Sequence, residues 1–289
     1  MNFLELHAWE IGIIQSIQSI RSSFLDELFL TINLFDKTIT YLVILYLVYA
    51  LKNARAGIHL LWLLTIATLA YLDLKDLLGQ PRPYHLFPEL EVLGSIGYGF
   101  PSGAATSSSI ILGFIFFVGP TKEAFNRGWK CGAVVLLLAI GLSRVYLGAH
   151  FPSDVLGGYA LGFCLLMIYK YAIFSLEKWT RSFSKGFLFF LQTALLLSLF
   201  SLHPKNYGAI FSCYLLGGIS AYLVFKEEVL SKKKKPLLVA IHLILGGCVL
   251  LVLFAVSKKV PIDWLLFSLS FLIGVWFQAS KAVFSKFYK

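Results

Sequence analysis

Long apolar runs, each separated from the next by a short polar segment, recur from residue 38 to residue 280, and this alternation restricts the fold more than any other feature of the sequence. The runs lie at about 38–51, 57–74, 103–118, 131–147, 154–174, 187–202, 207–225, 237–256 and 264–280. A perpendicular helix needs about 20 residues to cross a bilayer, and in lipid every backbone polar group must be satisfied within the protein. Of the residues, 58% are hydrophobic and 14% charged, against roughly 45–50% and about 25% in a soluble domain. The pattern predicts an all-α, polytopic integral membrane bundle of about nine spans. Cys131, Cys164, Cys213 and Cys248 each fall inside an apolar run. Their wide spacing fits neither a metal site nor a disulfide framework.

Ahead of the first run, residues 11–36 repeat Ile, Leu and Phe at three- and four-residue intervals among Ser, Gln, Arg and Asp. That period predicts amphipathic helices at the membrane surface. The chain is thus expected to divide into interfacial helices over 1–37, a membrane core over 38–180, and a further four-span region over 181–289. The opening MNFLELHAWE carries acidic residues where a secretory leader has basic ones, so the spans themselves are expected to direct insertion.

The net charge of +10 does not point to nucleic acid, because the cations sit in short clusters between apolar runs. There they act as topology signals, since cytoplasmic loops accumulate Lys and Arg. If the amphipathic start is outside, 17 of the 25 cations fall inside, including the run Lys232–Lys235. The outer set is Arg21, Lys37, Lys75, Arg82, Arg144, Lys205, Lys258 and Lys259. This assignment puts the carboxy-terminus in the cytoplasm.

Three polar segments share the outer side. Lys75 to Arg82-Pro83 closes the second run, Pro101-Ser102-Gly103-Ala104 opens the third, and Ser143-Arg144 ends the fourth, with His150 and Asp154 following across a turn. Cations gathered at membrane depth need an anionic partner. Phosphate suits them, because Arg82 and Arg144 offer guanidinium forks and Lys75 a point charge. A helix start at Ser102 and Gly103 adds free N–H groups and a favourable dipole, and Ser143 a hydroxyl. His150 and Asp154, four apart, suit a carboxylate that holds one imidazole nitrogen while the other faces phosphorus. Singly, these residues have plainer readings, as an interfacial hydrogen bond or as headgroup anchors. Their joint spacing and sidedness favour phosphate chemistry.

Lys75, six residues, Arg82-Pro83, then Pro101-Ser102-Gly103, then Ser143-Arg144, five residues, His150, three residues, Asp154 resemble the three-part signature of the type 2 phosphatidic acid phosphatase superfamily. The resemblance covers about residues 20–175. It implies a metal-independent enzyme without cofactor, in which His150 attacks phosphorus, Asp154 orients it, and Lys75, Arg82 and Arg144 bind the phosphoryl oxygens with help from Ser102, Gly103 and Ser143. The implied substrate is a phosphorylated lipid in the bilayer, and the cation count places the expected site at the periplasmic face of a bacterial inner membrane.

The family's second motif continues with a histidine that protonates the leaving group, and Ala104 stands at that position here. A positioned donor contributes about 10²–10⁴-fold. The gap has four readings: a lipid pyrophosphate substrate whose leaving phosphate needs little protonation, a substitute donor, an introduced substitution that stalls turnover, or phosphate binding without turnover. Among donors His85 comes first, then Tyr84 and Tyr98. The function expected is a lipid phosphatase or pyrophosphatase. A phosphotransferase with a non-water acceptor and a non-catalytic lipid-phosphate binder or transporter are the alternatives.

Overall fold

A computed structural model describes residues 3–51, 54–118, 127–180, 236–259 and 263–285, with scattered positions between 182 and 220. The helices are α1 (Phe3–Gln18), α2 (Ser23–Ile32), α3 (Thr38–Leu51), α4 (Ala54–Leu78), α5 (Pro83–Leu86), α6 (Gly103–Val118), α7 (Arg127–Tyr146), α8 (Pro152–Thr180), α9 (Pro236–Lys259) and α10 (Asp263–Ser285). Two 3-10 turns, Asn33–Asp36 and Pro88–Leu90, join them, and no strand occurs among the described residues. The apolar runs at 38–51, 57–74, 103–118, 131–147, 154–174, 237–256 and 264–280 each coincide with one helix to within a few residues. Those at 187–202 and 207–225 lie largely outside the described residues.

By length and apolarity, Arg55–Leu86 and Pro152–Ser175 can each cross a bilayer, and Ser23–Asp36 with Thr38–Ala50 makes a third if the pair is one span. The helices are built for lipid. On α7, Val134, Val135, Leu138 and Leu142 form an exposed stripe, whereas Ser143 and Arg144 are buried. A water-soluble helix has the reverse arrangement. Composition, spans and this inverted burial make the chain an integral membrane protein.

Contacts group the chain into two compact units, Met1–Lys37 with Ile66–Lys170, and Thr38–Thr65 with Tyr171–Lys289. At the centre of the first unit lies α6, whose residues Ala104 to Ser109 are all buried. Its hydroxyls are satisfied locally. Thr106 donates to the Ser102 carbonyl at 3.0 Å, and Ser108 and Ser109 donate to that of Ala105 at 3.1 and 2.8 Å. Small residues let α8 approach closely: a Cβ on Gly162 would lie 2.6 Å from the Thr106 carbonyl oxygen and 2.7 Å from the Ser109 Cβ. This is small-residue helix packing, the arrangement on which association in lipid relies.

The amphipathic start packs into the first unit. Ile11 and Ile14 of α1 join Leu90, Ala105, Val145, Phe151 and Val155 in one buried cluster, while Trp9 and Ile13 remain exposed. In the second unit, α3, α9 and α10 pack together. Gly57 there abuts the Tyr49 ring and Gly246 the Tyr46 hydroxyl, and the Trp276 indole donates to the Gly246 carbonyl at 2.9 Å.

Candidate active site

The first unit brings the three polar segments together, and local backbone rules explain each placement. Helix α7 ends just after Arg144, and its chain reverses at Gly148, whose φ is +66°. The amides of Ala149 and His150 both donate to the Arg144 carbonyl, at 3.1 and 3.2 Å. Glycine is required here twice over: for the left-handed backbone of a helix C-cap, and because a Cβ would collide with the Leu90 carbonyl oxygen.

Helix α8 then starts at Pro152, a residue suited to a first helical position because it lacks an N–H. That makes Phe151 the N-cap and Asp154 the third helical residue. Oδ2 of Asp154 accepts from the Phe151 amide at 3.0 Å, the backward half of a capping box. The same oxygen lies 3.2 Å from Nδ1 of His150. On the other edge of the ring, Nε2 is 3.3 Å from Nη1 of Arg82. A guanidinium can only donate, so Nε2 carries its lone pair and Nδ1–H donates to Asp154. This is the tautomer a nucleophilic imidazole needs.

His150 is buried, and burial above all, then the charges of Arg82, Arg144 and Lys75, holds its pKa well below the usual 6.5. The ring is neutral at neutral pH.

Backbone oxygens pin Lys75 and Arg82, and side-chain oxygens pin Arg144. Four successive carbonyls of one loop accept from two side chains. Ile96 and Gly97 take Nη2 and Nε of Arg82 at 3.0 and 2.8 Å, and Tyr98 and Gly99 take Nζ of Lys75 at 2.6 and 2.7 Å. Nη1 of Arg82 also donates to the Ala149 carbonyl at 2.8 Å. Arg144 Nη1 donates to Oδ1 of Asn33 and lies 3.2 Å from Oδ2 of Asp36. Buried Nε of Arg144 and Oδ1 of Asp154 find no partner among the described residues. By the donor inventory of each group, one N–H on Lys75, one on Nη2 of Arg82, and the Nε and Nη2 protons of Arg144 remain for a ligand. That set suits the oxygens of a phosphoryl group.

Ser102 precedes α6, with its amide donating to the Asp154 carbonyl at 2.9 Å and its hydroxyl within 3.5 Å of the Ala105 amide. Gly103 begins the helix and lies against the Tyr71 ring. Ala104 is buried in the first turn. The Ser143 hydroxyl donates to the Ile140 carbonyl at 2.7 Å, so its proton is already engaged. Tyr84 likewise donates to the Ser95 carbonyl. His85 is exposed, and its Nδ1 accepts the Arg82 amide at 3.2 Å, whereas Tyr98 enters the site through its carbonyl. Among the described residues, no group of three or more His, Cys, Asp or Glu side chains could hold a metal ion.

Four residues of the first 37 also serve the site, and the sequence pattern did not single them out. Asn33 and Asp36 reach Arg144, as described above. From α1, Glu10 accepts from the Ser153 amide at 2.7 Å and its hydroxyl at 3.1 Å, providing the cap that Phe151 has no side-chain oxygen to give. His7 bonds Glu10 at 2.6 Å and stacks on Phe151, with ring centroids 4.0 Å apart. Asn33 and Asp36 are marked in the sequence only as polar residues within the amphipathic period over 11–36, and His7 and Glu10 lie ahead of that period.

Fold and site together define an integral membrane helical protein with a buried His–Asp pair facing three cations. Residues 56–178, which include every signature position from Lys75 to Asp154, match the PAP2 superfamily. Phosphatidylglycerophosphatase B of Bacillus subtilis (strain 168) is 38% identical over 77 residues, which is 25% of this chain and 38% of that protein. Lipid A 1-phosphatase of Rhizobium etli is 32% identical over 107 residues, 34% of this chain and 43% of that protein. The chain thus spans about two fifths of the length of these relatives. The crystal structure of a transmembrane PAP2 type phosphatidylglycerolphosphate phosphatase from Bacillus subtilis is 24% identical, with a TM-score of 0.49 over 59% of this chain and 86% of that one.

Proposed function

We propose that the protein is a membrane lipid phosphatase or pyrophosphatase that removes a terminal phosphate at the extracytoplasmic face through a phosphohistidine on His150. The observation that carries this reading is the orientation of the imidazole: Nδ1–H on Asp154, and the Nε2 lone pair beside Arg82. Simple binding would not call for that tautomer. Nε2 attacks phosphorus, and Asp154 stabilises the positive ring that forms. Lys75, Arg82 and Arg144 neutralise charge on the phosphoryl oxygens. Water then hydrolyses the phosphohistidine, and no metal takes part.

The relatives named for phosphatase activity on phosphatidylglycerophosphate and on lipid A support a lipid phosphate as substrate class. Sidedness rests on the cation count, which is independent of the signature. Ala104 favours substrates with good leaving groups, among them lipid pyrophosphates. The test is phosphate release from a panel of lipid monophosphates and pyrophosphates by the purified protein and by His150→Ala. Release from at least one lipid, abolished in the variant, is the expected outcome. Equal release by both proteins on every lipid would rule out the phosphohistidine.

A further inference from the structure

We propose that Asp36 is the acid–base residue that serves the leaving group in place of the family histidine absent at Ala104; this rests on the phosphohistidine reading above. Asp36 ends the 3-10 turn Asn33–Asp36, which packs against both α6 and α7, the helices that carry Ala104 and Arg144. Its Oδ2 lies 3.2 Å from Nη1 of Arg144. Two carboxylates therefore bear on the cation cluster. Asp154 is fully buried behind His150 and committed to orienting it, whereas the side chain of Asp36 is 30% exposed, accessible to substrate and water. The tyrosine and histidine nearest in sequence to Arg82 are engaged elsewhere, Tyr84 with Ser95 and His85 with the Arg82 amide.

In the ligand-free site Asp36 neutralises Arg144. A phosphate ester that binds Nε and Nη2 of Arg144 as its monoanion brings a proton of its own beside the Asp36 carboxylate, which can relay it. That proton is the one the leaving group needs. Nε2 of His150 forms the N–P bond as the bond from phosphorus to the lipid oxygen breaks. The electron pair of that bond goes to the lipid oxygen, which takes the proton from Asp36 and departs as the alcohol. Asp36, now a carboxylate, takes a proton from the water that attacks phosphorus. The N–P electron pair returns to Nε2, the proton taken from water leaves on inorganic phosphate, and Asp36 again faces Arg144 as a carboxylate.

Farnesyl phosphate and farnesyl pyrophosphate share one lipid tail and differ in leaving group, an alkoxide against a phosphate. Asp36→Asn retains an oxygen facing Arg144 but cannot donate a carboxylic proton. It is expected to lower kcat/KM on the monophosphate by about 10²–10⁴-fold, with a loss at least about tenfold smaller on the pyrophosphate. Ala104→His added to Asp36→Asn should restore the monophosphate activity. An equal loss on both substrates would reduce Asp36 to a positioning residue for Arg144, and no loss on either would remove it from the reaction; both outcomes overturn the proposal. If wild type is active, His150→Ala inactive and Asp36→Asn unimpaired, the proposal for Asp36 fails alone. If His150→Ala releases phosphate as fast as wild type, the phosphohistidine reading fails and takes this one with it.

Discussion

His150 shows how one side chain is tuned by what surrounds it. Burial and three cations disfavour the imidazolium, so the neutral ring persists below pH 6.5. A His with a lowered folded pKa contributes stability that is complete above pH 6.5 and is lost as pH falls through the folded value, because the unfolded chain then binds more protons. The same sign governs activity. The acid limb of kcat/KM, which reports the free enzyme, should lie below pH 6.5 once the substrate's own titration is subtracted. A limb at 6.5 would mean that neither burial nor the cations act on the ring. Asp154→Asn keeps the shape of the side chain while removing the carboxylate that selects the Nδ1–H tautomer. Phosphate release should fall by about 10⁴-fold, the scale seen when an orienting aspartate is lost from another histidine site.

At the scale of elements, the site depends on how closely helices approach. Gly162→Ala in α8 gains about 1 kcal/mol of helix propensity but drives a methyl into the Thr106 carbonyl of α6, 2.6 Å from the Cβ position. A backbone oxygen in a packed helix cannot retreat, and overpacking costs about 1–3 kcal/mol, so the variant should melt at a lower temperature in detergent. Gly12→Ala in α1 is the matched comparison, since nothing lies within 4 Å of its Cβ position. It should raise the melting temperature slightly. Helix α1 also has a chemical duty. Glu10 caps the amide of Ser153, the residue beside Asp154. Losing such a cap costs about 0.5–2 kcal/mol, and its removal loosens the turn that aims His150. Glu10→Ala should therefore lower kcat more than it raises KM, while Glu10→Gln, which keeps an oxygen for the Ser153 amide, recovers most of the loss.

For the whole molecule, the proposed sidedness can be read by chemistry applied from one side. In a cysteine-free background, Ile96→Cys, in the loop that pins Lys75 and Arg82, should react with a membrane-impermeant maleimide in intact cells. Lys232→Cys, in the basic run, should react only after permeabilisation. The reverse pattern would put the site in the cytoplasm. Much of this architecture is legible in the sequence. The apolar runs specify helices in lipid because backbone satisfaction is a local demand, and the spacings from Arg144 through His150 to Asp154 fix one turn and one helix start. Those features are set within a few residues of chain. Tertiary structure alone decided which polar residues of the amphipathic start would turn inward. Asn33 meets Arg144 across 111 positions, and Glu10 meets Ser153 across 143. A helical period states that a polar face exists but not whether that face meets water or a buried arginine, because the choice depends on the helices packed against it. The Ala104 gap is likewise a local fact, whereas the placing of Asp36 beside Arg144 comes from packing.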